Sequence, residues 1–317
     1  MLLEPVRDLA GIAASQTLEA LGDPVALFWT AAFLQIEATR VGDFELAARN
    51  LEMTRELSRR LQQPALIWTA SLLDCALALR HGDPERAEQL ATSAFEVGST
   101  SGQPDAFAFY GRQLVAIRRQ QGRGGELVSM FADIADQNPG VPAFRANLTG
   151  LQLDVGDHAA ARLLIETAGA EGFALPMDTA WVDGIAHYSR AVIELGLPAP
   201  AEQLLGLLGP HHDQVAGTGF TYLGPVATYL GGLATVLSRY DEAQRCFEEA
   251  TQLTVRGQMR YAEADTQLLW GRMLLGRNGP GDAERARELL EQARADAEAR
   301  GYALLEQRAR AALAKPA

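Results

Sequence analysis

Lysine is all but missing from this 317-residue chain: Lys315 is the one example among 28 basic residues, so arginine carries the positive charge. Positive charge is itself in deficit, with a formal net charge of -12. Phosphates would repel such a chain as a whole, and no basic stripe offsets this, so direct contact with nucleic acid is not expected. Cysteine occurs twice, at Cys75 and Cys246, in repeats that are not adjacent. A disulfide framework is therefore excluded, which fits a reducing, cytoplasmic setting. No window approaches eighteen uninterrupted apolar residues, and the N-terminal stretch has no basic segment followed by an apolar core. Neither membrane insertion nor secretion is expected.

Catalytic signatures are absent as well. There is no G-x-x-x-x-G-K-[ST] and no G-x-S-x-G, and the glycine run from Gly122 to Gly125 lacks the lysine of a phosphate loop. That run reads as a loop between helices. His211 and His212 sit beside Asp213 in a Gly-Pro-rich turn, where neighbouring histidines do not share a helix face and nothing is placed to complete a metal site. His187 reads as a packed helical residue, and His81 and His158 as solvated residues flanking turns. Ser189 and Cys75 fall where helix pairs approach closely and want small side chains. No catalytic residue, metal or cofactor is assigned.

What the sequence does contain is a repeat. Gly42-Asp43-Phe44-Glu45-Leu46-Ala47 recurs as Gly82-Asp83-Pro84-Glu85-Arg86-Ala87 and Gly156-Asp157-His158-Ala159-Ala160-Ala161. With four weaker copies, the anchors are Ala47, Ala87, Leu127, Ala161, Ala201, Ala243 and Ala286, spaced 40, 40, 34, 40, 42 and 43 residues apart. The glycine ends one helix in a conformation that other residues resist, and the Asp or Pro after it caps or opens the next. Four residues beyond the anchors come Leu51, Ala91, Phe131, Ile165, Leu205, Phe247 and Leu290, an apolar face at helical spacing. Prolines at 24, 64, 104 and 142 mark the starts of new pairs. The expected fold is all-α: an α-solenoid, a right-handed superhelix of about seven helix-turn-helix repeats over residues 25–300. A capping helix is expected over 1–24, and a second with a short tail over 301–317.

The anchors, the Gly-Asp turns and the small residues resemble the tetratricopeptide repeat. The aromatic usual early in its first helix is replaced by Ala31, Ser71, Gly111, Arg145, Ile185 and Ala227, and its late proline survives only at Pro139. The lysine-rich clamp of co-chaperone repeats has no counterpart here. The last third carries Tyr229-Leu230-Gly231-Gly232-Leu233-Ala234, then Arg239 to Ala243, Cys246 to Ala250, and Gly279 to Asp282 followed by Ala286 to Leu290. This part resembles the C-terminal helical region of large bacterial signalling ATPases, where such repeats accompany a LuxR-type DNA-binding domain or a class III nucleotide cyclase. The resemblance implies a sensor or docking arm.

In the tetratricopeptide register, positions 18, 15, 11, 8 and 7 before each anchor face the concave surface. They include Trp29, Phe109, Arg112, Arg119, Asp183, Arg190 and Glu194. Arginine forks suit carboxylates and phosphates, so the groove is expected to take an acidic peptide or an anionic small molecule through Arg112, Arg119 and Arg190. Arginines near helix C-termini are also favoured by the helix dipole alone. The function expected is a non-catalytic regulatory or sensor module that binds a protein partner or effector. A free-standing protein-protein interaction scaffold and an enzyme of unrecognised type are the alternatives.

Overall fold

A computed structural model describes residues 23–314, so the capping helix expected over 1–24 lies almost wholly outside the described residues. Among the described residues fifteen α-helices dominate, and they follow one another in seven pairs with one left over. The pairs are α1 (Pro24–Arg40) and α2 (Phe44–Leu61), α3 (Pro64–Arg80) and α4 (Pro84–Thr100), α5 (Ala106–Gln121) and α6 (Val128–Gln137), and α7 (Pro142–Asp154) and α8 (His158–Ala170). Next come α9 (Trp181–Leu195) and α10 (Pro198–Leu208), α11 (Val226–Val236) and α12 (Tyr240–Gly257), and α13 (Arg260–Arg277) and α14 (Asp282–Arg300), before the last helix α15 (Ala303–Leu313). Among the described residues, no helix is long and apolar enough to cross a membrane.

The turns within pairs form for the reasons the motif suggests. Gly42, Gly82 and Gly156 take φ of 77°, 68° and 80°, the left-handed region that a side chain resists. At the first, the Asp43 amide donates to the Ala38 carbonyl at 2.8 Å and the Gly42 amide to that of Thr39 at 3.1 Å, satisfying the last carbonyls of α1. The carboxylates of Asp43, Asp83 and Asp157 then accept from the amides of Leu46, Arg86 and Ala160 at 2.9, 2.9 and 3.0 Å, capping the following helix. Proline opens α1, α3, α4, α7 and α10, where its missing N–H is harmless. Helix α5 starts at Ala106, two residues after Pro104.

All seven anchor residues are buried, and so are six of the seven side chains one turn beyond them, with Leu205 partly buried. Consecutive helices pack on one another, with α5 and α6 joined mainly through the turn at residues 124–127, and α9 lies between α7 and α11. The Gly231-Gly232 pair lets α11 sit unusually close to two neighbours. A Cβ on Gly231 would lie 2.8 Å from the Phe247 ring of α12, and one on Gly232 would lie 2.5 Å from Ile193 of α9. Small side chains at such contacts let neighbouring helices approach closely, and the buried apolar residues gather in several clusters along the chain.

One element departs from the all-helical expectation. Between α10 and α11 the chain forms an antiparallel hairpin of β1 (Val215–Gly217) and β2 (Tyr222–Pro225), with Val215 opposite Pro225, Ala216 opposite Gly224, and a bulge between Ala216 and Gly217. Strand β1 touches α1 and α9, while β2 touches α3, α11, α12 and α13. The hairpin thus meets helices from both ends of the chain. Helix α15 also reaches back to α5, and its neighbour Tyr302 is bonded to Gly82.

Candidate functional site

Where α5, α7, α9 and α13 converge, arginines and carboxylates interlock in the interior. Arg119 of α5 lies 3.3 Å from Asp265 of α13, with side chains 4% and 10% exposed. Arg190 of α9 is hydrogen-bonded to Asp154 of α7, and Arg308 of α15 approaches the same carboxylate at 3.8 Å. Glu194 of α9 accepts from Arg272 of α13 at 2.7 Å. Burial alone would raise the Asp154 carboxyl, but Arg190, then Arg308 and Arg119, hold it below the usual carboxylate value. Such pairs are tolerated in the interior only because each charge has a partner.

Arg119, Asp183 and Arg190 are therefore inside the protein and not on a groove open to solvent. Other parts of the same chain cover them: Arg119 meets Asp265 of α13, Arg190 meets Asp154 of α7, and Asp183 meets Thr221 beside the hairpin strands. Trp29 lies apart from them, 38% exposed and packed against Phe28 and Phe33. Phe109 is wedged edge-on between Trp68 and Phe220, at 5.4 and 4.9 Å, and seats the hairpin. Arg112 is half-buried, and its field acts on Asp183.

Asp183 and His187 stand one helical turn apart on α9, with Nε2 of the ring 3.7 Å from the carboxylate. Burial pushes the Asp183 carboxyl up to about 6, against the opposing pull of Arg112 and Arg119. Burial, reinforced by Arg119 and Arg190, pushes His187 down to about 3, so its imidazole is neutral. A Cβ on Gly150 would sit 2.9 Å from its Nδ1, so a glycine is needed there for α7 and α9 to close on the ring.

The nucleophile candidates are engaged in packing. Cys75 Sγ donates to the Ala87 carbonyl at 3.4 Å, and burial pushes its thiol up to about 12, which leaves almost no thiolate at neutral pH. Ser189 donates to the Ile185 carbonyl at 2.8 Å within its own helix. His212 pairs with Glu249 at 2.9 Å, and His211 leans on Trp181 with ring centroids 5.1 Å apart. Among the described residues no three His, Cys, Asp or Glu side chains gather as a metal site.

Openings among the described residues include a recess and a cleft. The larger, about 430 Å³, lies between α1, the segment before α9, and the hairpin; Ile36, Arg40, Trp181, Val182, Gln214 and Tyr222 are among its walls. The second, about 260 Å³, lies between α5, α6 and α7, and Arg112 lines it. Sequence reasoning missed Asp265 and Arg308 as partners, because nothing in the repeat spacing pairs helices that far apart. It also missed the hairpin, whose signal is the run of Thr, Phe and Tyr among glycines from Val215 to Pro225. No family model matches the chain, and no curated protein does either.

Proposed function

We propose that this chain is a non-catalytic regulatory module: a solenoid of tetratricopeptide-like pairs that binds an effector or protein partner and passes the event to a neighbouring domain. The resemblance to signalling ATPases supports this reading and suggests a cytoplasmic module attached to an ATPase, cyclase or DNA-binding partner, with no contact of its own to nucleic acid or membrane. The observation that carries it is the composition of the 430 Å³ recess. Its walls come from α1 on one side and from residues 177–222 on the other, segments more than a hundred residues apart. A ligand filling that recess touches the first pair and the hairpin together, and through the hairpin α3, α12 and α13. Binding there changes how the two ends of the array are held, which is the requirement for a sensor.

The experiment is a thermal-shift screen of the intact chain against nucleotides, sugars and organic acids, repeated on Thr179→Trp. Thr179 is an exposed residue lining the recess, so an indole there fills the opening with little effect on the core. A ligand that binds only the folded state raises its apparent stability. A compound that stabilises the natural chain and not the variant supports the reading, and a panel that shifts neither overturns a small-molecule effector at this recess.

A further inference from the structure

The second opening carries an inference that rests on the effector-binding reading and gives it a ligand class. The cleft between α5, α6 and α7 is walled mainly by apolar side chains, including Phe107, Met130, Phe131, Ile134 and Phe144, and among the described residues its only charged lining residue is Arg112. Phe107 stands 56% exposed at the rim. The other lining side chains able to bond are Asn138 and Asn147, and both turn an amide back on their own helices, to the Ile134 and Ala143 carbonyls at 2.8 Å each.

Arg112 differs from the arginines around it. Arg119, Arg190 and Arg272 each meet a carboxylate. Arg112 has neither a hydrogen bond nor an ion pair among the described residues. Asp183 feels its field, yet that carboxylate is directed to Thr221, at 3.5 Å, and to His187. A guanidinium presents five N–H donors, and this one, half-buried beside an apolar wall with no protein acceptor among the described residues, leaves them open to an incoming ligand. A carboxylate arriving with an apolar body meets both needs at once: its oxygens take the fork of donors, and its body covers the phenylalanines.

We propose that this cleft binds a small amphipathic carboxylate, with its head on Arg112 and its apolar body among Phe107, Phe131 and Phe144. The cleft lies just under the size of drug-binding pockets, which sets the body at roughly six to ten heavy atoms. A free acyl acid and the C-terminus of a hydrophobic peptide share this chemistry.

Calorimetric titration of the full chain with octanoate, octanol and octylammonium tests it, with Arg112→Gln and Gly111→Leu as variants. Gly111 lines the cleft from within α5, and a Cβ there meets nothing within 4 Å, so the leucine grows into the opening without displacing protein. Octanoate is expected to bind at least about tenfold more tightly than octanol, with octylammonium weakest. Arg112→Gln is expected to remove the preference for octanoate, and Gly111→Leu to remove binding of both octanoate and octanol while its helical circular dichroism is retained. N-acetyl-leucyl-phenylalanine with a free carboxylate separates the two sources: whichever acid binds more tightly supports the site and assigns it. No binding of either acid, equal affinity for octanoate and octanol, or an unchanged preference in Arg112→Gln overturns the proposal. Neither variant touches the recess beside the hairpin, so a ligand of that recess still stabilises both variants when only the Arg112 site fails.

Discussion

The hydroxyl of Tyr302 donates to the backbone carbonyl of Gly82 at 2.6 Å, joining residues 220 positions apart. The ring is fully buried, and Gly82 holds a φ of 68°. Tyr302→Phe leaves that carbonyl without its donor and is expected to lower stability by about 1–3 kcal/mol. Gly82→Ala should cost more, because its Cβ would fall 2.0 Å from the Tyr302 oxygen. Combining the two removes the colliding atom, so urea unfolding should show a double variant less destabilised than the sum of the single ones. Strict additivity would mean that the two groups do not meet.

Arg190 and Asp154 form a pair in which both side chains are at most 5% exposed. Arg190→Met removes the hydrogen-bonded partner of a buried carboxylate, leaving Arg308 at 3.8 Å as its nearest cation, and is expected to cost up to about 3–5 kcal/mol. Adding Asp154→Leu removes the stranded charge, so the double variant should regain part of the loss. Unfolding midpoints decide this, and a double variant less stable than Arg190→Met would refute the account.

Asp183 and His187 make opposite contributions to the dependence of stability on pH. The carboxyl is raised in the fold to about 6, so its contribution is complete below its unfolded value and is lost as pH climbs through 6. The imidazole is lowered to about 3, so its contribution is present above 6.5 and is lost as pH falls towards 3. Between about pH 4 and 6 the two offset. His187→Gln leaves Asp183 to act alone and should gain stability relative to the natural chain on acidification, by up to about 1.4 kcal/mol per pH unit. Asp183→Asn should lose stability over the same range. Urea titrations from pH 4 to 7 test both, and parallel curves for all three proteins would refute the assignment.

Gln113 ties the hairpin to the helices, donating from one amide nitrogen to the carbonyls of Leu72 at 2.9 Å and Phe220 at 3.0 Å. Gln113→Leu leaves the Phe220 carbonyl unmatched, while that of Leu72 keeps its place in the α3 hydrogen-bond ladder, and should cost about 1–3 kcal/mol. Hydrogen exchange locates the effect: amides of residues 215–225 should exchange faster in the variant, with those of α8 unchanged.

How much of this was legible in the sequence depends on the length scale. Gly42, Asp43 and Ala47 announce a turn, a cap and a close helix contact within six residues, and all three do what local chemistry predicts. The helical register also places Arg119 and Arg190 on the inner side. It has no information about Asp265, which is 146 residues from Arg119 and reaches it only through the path of the whole chain. The hairpin was hidden for a different reason. Helices α10 and α11 are 11 residues each, against 17 and 18 in α1 and α2, so the extra strands fit inside an unremarkable 42-residue spacing. The register groups Trp29 and Phe109 with Arg119 and Arg190; in the fold Trp29 packs against Phe28 and Phe33, and Phe109 against Trp68 and Phe220.

Arrays in which each helical pair touches only the next can fray from a loose end, one pair at a time. The bond from Tyr302 to Gly82 and the hairpin seated between α1 and α13 remove both loose ends from the described chain. Unfolding must then begin by opening contacts that span most of the molecule, so melting should be one sharp transition with no stepwise loss of terminal pairs. The same contacts make assembly slow, since loops of 146 and 220 residues must close before the buried arginines find their partners.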